Sequence, residues 1–191
     1  MNYLAHSFLS GNSPEIIAGN FIGDFVKGNS LNNYPNQIKQ GILLHRAIDS
    51  FTDNSKIVKQ SKEFFNPVYG KYSGIIVDVV YDFFLSQHWN LYSNCNREDF
   101  INFMYDCIEK YRLLFPLRAQ KLVPSIIYHN WIRYYASYYG LEKVLSRMSI
   151  RTSLPNKTRD CIGILRNNYK ELDDQFLEFF GEIQKEFWVH N

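Results

Sequence analysis

Between Gly74 and Leu85 the chain reads Gly-Ile-Ile-Val-Asp-Val-Val-Tyr-Asp-Phe-Phe-Leu. Across the longer stretch from Lys71 to Trp89, apolar residues fall on nearly every side of a helix. Such a helix has no face to give to water, so it belongs at the centre of a bundle. Short runs such as Ile75-Ile76-Val77 also suit a strand when taken alone. The chain has no hairpin turn signals or alternating patterns, and no glycine-rich phosphate loop supports a βαβ arrangement. Helix is therefore the expectation. No run approaches the roughly 20 apolar residues of a membrane span, and this one carries Asp78 and Asp82.

The remaining segments also read as helices. Ser13-Pro14-Glu15 is an N-cap followed by proline at the first helical position, opening a helix to about Val26. Lys27-Gly28-Asn29-Ser30 ends it. Pro35 opens a second helix through Ile38, Ile42, His45 and Ile48. Further helices are expected from Asn96 to about Phe115, from Ala119 to Tyr139 with a break at Gly140, from Leu141 to about Met148, and from Thr158 to Phe187. There is no internal repeat and no long linker. The expected fold class is all-α, a helical bundle in which residues 1–191 form one domain.

Asp78 and Asp82 lie four residues apart, one turn of the central helix. Two carboxylates there repel each other and are costly to bury, so one tends to be protonated. A shared divalent cation removes both penalties. His45 and Asp49 have the same spacing on the preceding helix. With His6 and Asp24 they make up an ionisable set in apolar surroundings, and Arg46 or Lys27 is placed to hold a phosphate charge. Imidazole with carboxylate suits Mn²⁺, Fe²⁺ or Zn²⁺ better than Ca²⁺, with Mg²⁺ also accommodated; no nearby cysteine points to a structural zinc site. A metal so held lowers the pKa of bound water and polarises a phosphoryl oxygen. Each member also has a purely structural alternative. A lone histidine on an apolar face is commonly a hydrogen-bonded core residue. Asp24 can end a helix, and Ser50-Phe51-Thr52-Asp53 reads as a capping box opening the next one. The Asp78/Asp82 pair has no polar face to turn to. Together the set points to a metal or phosphate site. His88, His129 and His190 read as surface or packing residues.

The net charge of +2 is too small to imply nucleic-acid binding. Its distribution says more. From Lys110 to Lys170 there are 12 basic residues, opposed only by Glu142 and Asp160. A segment of that kind attracts an acidic partner, or forms solvated faces paired with acids elsewhere. The three cysteines, Cys95, Cys107 and Cys161, are scattered and odd in number. With no signal peptide at the N-terminus, they fit reduced thiols in the cytoplasm.

Several blocks resemble the acyl-carrier-protein phosphodiesterase family. Met1-Asn2-Tyr3-Leu4-Ala5-His6 is similar to that family's opening, and Gly19-Asn20-Phe21-Ile22-Gly23-Asp24-Phe25-Val26-Lys27-Gly28 to its Gly-Asn…Asp-Phe-Val-basic-Gly segment. Gly41-Ile42-Leu43-Leu44-His45-Arg46-Ala47-Ile48-Asp49-Ser50-Phe51-Thr52-Asp53 resembles its most specific signature. Asp78 to Leu85 with Trp89, then Trp131-Ile132, Gly140-Leu141 and Arg147, extend the likeness over nearly the whole chain. The resemblance implies an all-α bundle related to the HD phosphohydrolases. The implied activity is hydrolysis of the phosphodiester between 4′-phosphopantetheine and a serine of acyl carrier protein, dependent on a divalent metal, typically Mn²⁺. Carried onto this chain, Asp24 is the foremost catalytic candidate, with His45 and Arg46. His6, Asp24, His45, Asp49, Asp78 and Asp82 are the metal-ligand candidates. Acyl carrier protein is small and strongly acidic, so Arg133, Arg147 and Arg151 become candidates for steering it.

One departure stands out. Phe83 occupies the position after the second aspartate where the family often has histidine. A catalytic or ligand role for that histidine would leave the chain a non-catalytic carrier-binding module, whereas a packing role leaves the chemistry intact. A phosphohydrolase of a nucleotide or another small phosphodiester is the other alternative.

Overall fold

The computed structural model describes residues 1–187, with Asn29 described in its backbone only; His190 lies outside the described residues. These residues form eleven α-helices and no strand, so the fold class is all-α as expected. The helices are α1 (Tyr3–Phe8), α2 (Pro14–Phe21), α3 (Asn36–Asn54), α4 (Lys56–Tyr69), α5 (Ser73–Gln87), α6 (Trp89–Tyr92), α7 (Arg97–Lys110), α8 (Leu117–Tyr128), α9 (Tyr138–Arg151), α10 (Thr158–Asn167) and α11 (Tyr169–Phe187). No described helix is long and apolar enough to cross a membrane.

The apolar helix α5 is central. It packs against α1, α4, α9 and α11, and Ile76, Val77, Val79, Val80, Phe84 and Leu85 are fully buried. Tyr81 and Phe84 meet Phe176 of α11 with ring centroids 5.5 and 5.8 Å apart, a geometry that adds to simple area burial. Phe83 is buried between Phe84 and Tyr138, at 5.3 Å from each.

Several element boundaries differ from those expected, each for a local reason. Helix α2 stops at Phe21, and Gly23–Phe25 continues as a 3-10 turn against α3. Helix α3 runs through Ser50–Asp53, so no capping box opens there. The cap of α4 is Ser55, whose Oγ accepts the Val58 N–H at 3.3 Å. The helix expected over 119–139 ends at Tyr128 because Asn130 takes a left-handed conformation (φ 51°). Gly140 does not break a helix. It sits inside α9, and a Cβ there would lie 1.8 Å from the Tyr134 carbonyl oxygen. The last helix divides at Asn168, whose side-chain amide donates to the Ile164 carbonyl at 2.9 Å.

Two contacts position the N-terminal third. Helices α2 and α3 meet backbone to backbone at Gly19 and Gly41. A Cβ on Gly19 would fall 2.1 Å from the Ile38 carbonyl oxygen, and one on Gly41 2.2 Å from that of Ile16. Helix α1 is held from below by α5. The Asp82 carboxylate accepts the backbone N–H groups of Asn2, Leu4 and Ala5 at 3.3, 2.8 and 3.2 Å. Those first-turn donors have no partner inside their own helix, so a side chain 77 to 80 residues away caps α1.

Candidate metal centre

Four of the expected residues converge beside one cavity. The crossing of α2 and α3 brings Asn20 against His45, and α1 lays His6 over both. The two imidazoles stack with ring centroids 4.3 Å apart. Both Nδ1 atoms face the same oxygen, Asn20 Oδ1, at 2.9 Å from His6 and 3.1 Å from His45. The amide cannot be turned around. Its Nδ2 donates to the His6 carbonyl at 2.9 Å and to Ser10 Oγ at 2.8 Å, and a carbonyl can only accept. Asn20 therefore requires a proton on both Nδ1 atoms, leaving both Nε2 atoms directed at the carboxylates.

His6 Nε2 lies 3.2 Å from Asp49 Oδ1, and His45 Nε2 lies 3.1 Å from Asp49 Oδ2 and 3.4 Å from Asp24 Oδ1. Although close to both acids, His45 Nε2 is aligned for a hydrogen bond with neither and is buried without a partner. The three groups His6, His45 and Asp49 each offer a ligand atom within 4.8 Å of the others. Asp24, exposed on the 23–25 turn, completes the rim. Gly23 lets that turn approach, since a Cβ there would fall 2.2 Å from the His45 ring.

The electrostatics follow from this packing. Burial, with His45 beside it, holds His6 below the ordinary imidazole range despite Asp49. Burial opposes charge on His45 too, but the Asp24 and Asp49 carboxylates outweigh it and push it up to about 9. Burial also works against ionised Asp49, yet the two imidazoles hold it well below the carboxylate range. His45 lowers Asp24 as well. A neutral His6 thus aims a lone pair at a carboxylate oxygen, an arrangement that a cation between them would satisfy. Two imidazole nitrogens and two carboxylates fit a divalent transition metal, and Asn20 supplies the outer partner that orients such ligands.

The other expected site residues lie outside the His6–His45–Asp49 cluster, although Asp78 lines the same cavity. Asp78 and Asp82 turn to separate partners. Asp78 takes the Met1 α-amino group at 2.8 Å. Asp82 lies fully buried under α1; burial pushes it up to about 7, with the backbone donors and the α-amino charge pulling the other way. The penalty expected of the pair is met by donors from the N-terminus. Arg46 donates to the Val26 carbonyl at 2.8 Å, bracing the segment that carries Asp24 rather than entering the cavity. Arg133 pairs with Glu98 at 2.5 Å, and Arg147 lies over the Tyr134 ring. Arg151, over the Trp131 ring, does line the cavity. Phe83 is walled in by aromatic rings and does not line it.

The cavity beside the cluster has a volume of about 690 Å³. His6, Asp24 and His45 stand on one side. Arg118, Lys121 and Arg151 supply positive charge, and Leu122, Val144 and Met148 an apolar wall. Sequence reasoning missed Asn20, Arg118 and Lys121 as site residues. Asn20 carried a signal, being an amide set in the apolar run from Ile16 to Ile22.

A family model described as acyl carrier protein phosphodiesterase matches residues 1–183. The chain belongs to that family. The acyl carrier protein phosphodiesterase of Yersinia pestis is 32% identical over 187 residues, 97% of each chain. That of Klebsiella pneumoniae is 32% identical over 186 residues, covering 97% of this chain and 96% of its own. The Enterobacter protein of the same name is 32% identical over 184 residues, covering 96% and 95%. No solved structure matches this chain.

Proposed function

We propose that this chain is a metal-dependent phosphodiesterase that hydrolyses holo acyl carrier protein in the cytoplasm, releasing 4′-phosphopantetheine and leaving the apo carrier. The observation that carries this reading is the His6–His45–Asp49 cluster, fixed by Asn20 at the edge of a cavity of about 690 Å³. Membership of the family supplies the substrate. Free thiols at Cys95, Cys107 and Cys161 support the compartment. The HD-phosphohydrolase kinship belongs to the same proposal and rests on helix-borne histidine and aspartate.

His6 Nε2, His45 Nε2 and Asp49 would hold the metal, with Mn²⁺ the first choice and Fe²⁺, Mg²⁺ or Zn²⁺ the alternatives. When bound, the ion supplies a Lewis acid for the phosphoryl oxygen and lowers the pKa of water. The rest falls to the chain's own side chains. Arg118, Lys121 and Arg151 balance the charge of the phosphodiester. Asp24, at the cavity rim, accepts the proton of the attacking water on its carboxylate. The new P–O bond forms as the P–O bond to the carrier serine breaks, and the serine oxygen takes a proton from solvent as it leaves. Arg46 acts at one remove, keeping the 23–26 segment in place. Phe83 serves packing, so its difference from the family leaves the cluster untouched.

The test uses protein stripped with chelator and reloaded with Mn²⁺. Incubation with holo acyl carrier protein should convert it to the apo mass, and Asp24→Ala should slow this by about 100-fold or more. Failure to release the arm from any carrier, with metal bound, would sink the reading.

A further inference from the structure

From Lys110 to Leu141 the chain has no carboxylate, while Lys110, Arg112, Arg118, Lys121 and Arg133 fall within it. Helix α8 crosses the middle of this stretch and has three distinct faces. Ala119, Val123 and Ile126 are buried in the core. Arg118, Lys121, Leu122 and Ser125 line the cavity beside the metal cluster. The third face points outward. Leu117, Lys121, Pro124 and Tyr128 recur at one helical spacing and all are exposed, Leu117 at 65% and Tyr128 at 83%. Leu113 and Leu114, in the turn just before α8, are exposed too. Among the described residues no carboxylate lies within ion-pair distance of Arg118 or Lys121.

We propose that this outer face of α8 is the docking surface for the acidic carrier protein, which rests on the function proposed above. An apolar stripe carrying an unpaired lysine, Lys121, with the unpaired Arg118 on the adjoining face, matches a partner helix that is apolar and acidic. A basic partner finds no carboxylate on α8 itself to pair with. Lys121 belongs to both the outward face and the cavity wall, so a carrier seated on Leu117 and Tyr128 has its modified serine beside the cavity mouth. The arm then enters past Arg118 and Lys121 towards Asp24. The basic residues that matter are thus those of α8, while Arg133 is already committed to Glu98.

Leu117→Glu/Tyr128→Glu tests this without touching the cavity, and both positions are exposed enough to spare folding. KM for holo acyl carrier protein should rise about tenfold or more, as for loss of an interface hot spot. Turnover of a short phosphopantetheinylated serine peptide should stay within about twofold of wild type, since the peptide needs only the cavity. Leu91→Glu, an equally exposed leucine on α6, should change neither. An unchanged KM for the carrier, or equal losses on carrier and peptide, overturns the docking surface while leaving the hydrolase reading standing. Titration of metal-free protein with apo carrier separates the two ideas. If wild type cleaves nothing but binds carrier, and the double variant does not, the surface stands and the hydrolase reading falls. Dependence of self-association or of anionic-vesicle binding on Leu117 and Tyr128, with carrier binding intact, overturns it in favour of that occupant.

Discussion

At the scale of single residues, the most consequential side chain is an amide. Asn20 Oδ1 sets the tautomer of two imidazoles at once. Asn20→Ala leaves both rings free to turn and their Nδ1 protons unpaired, so Mn²⁺ affinity by calorimetric titration should fall about 10- to 100-fold. A loss under about twofold would show that the rings are held by packing alone. The charge on His45 sets a pH dependence in the metal-free protein. Its pKa is raised from 6.5 to about 9 on folding, so its contribution is fully present below about 6.5 and is lost as pH rises through 9. Asp24 and Asp49 are lowered, and their contribution is present above the ordinary carboxylate range and lost below it. Thermal melting of chelated protein should therefore decline between about pH 6.5 and 9, with that alkaline decline flattened in His45→Gln. The i, i+4 spacing of His45 and Asp49 was readable because a helix puts both on one face. Asn20 escaped notice because an amide carries no charge, and its role exists only once α1 and α3 are brought to it.

Helices are joined in this molecule by a few directed bonds as well as by apolar packing. Asp82, on α5, replaces the missing carbonyls at the start of α1. Asp82→Ala leaves three N–H groups, two of them buried, without an acceptor, and urea unfolding should register a loss of about 2–4 kcal/mol. Asp82→Asn keeps one acceptor oxygen and should lose less. An Asp82→Ala protein as stable as wild type would mean that α1 is anchored by its apolar residues alone. The central place of α5 follows from a segment with no polar face, and the structure has it there. The same segment misleads about its two acids, since their partners are backbone N–H groups and an α-amino group, which no side-chain spacing encodes. Boundaries misread at 129–130 and 168 reflect a left-handed asparagine and a side-chain bond back to the helix, both decided by a single residue against a favourable periodicity.

Taken as a whole, the molecule divides its three thiols by depth. Cys107 and Cys161 are buried, and burial pushes them up to about 11 and about 12, whereas Cys95 is exposed. Iodoacetamide near pH 8 should label one cysteine in the native protein and three after denaturation; rapid native labelling at Cys161 would show the core opening more readily than its packing suggests. The placing of α1 has a further meaning for assembly. A helix of 6 residues does not persist alone in water, and its cap comes from residue 82. During synthesis, the segment bearing His6 must therefore wait for α5 to emerge and settle. Helix α1 is made before α5 but fixed after it, and the two stacked imidazoles meet only when the centre of the bundle is already in place.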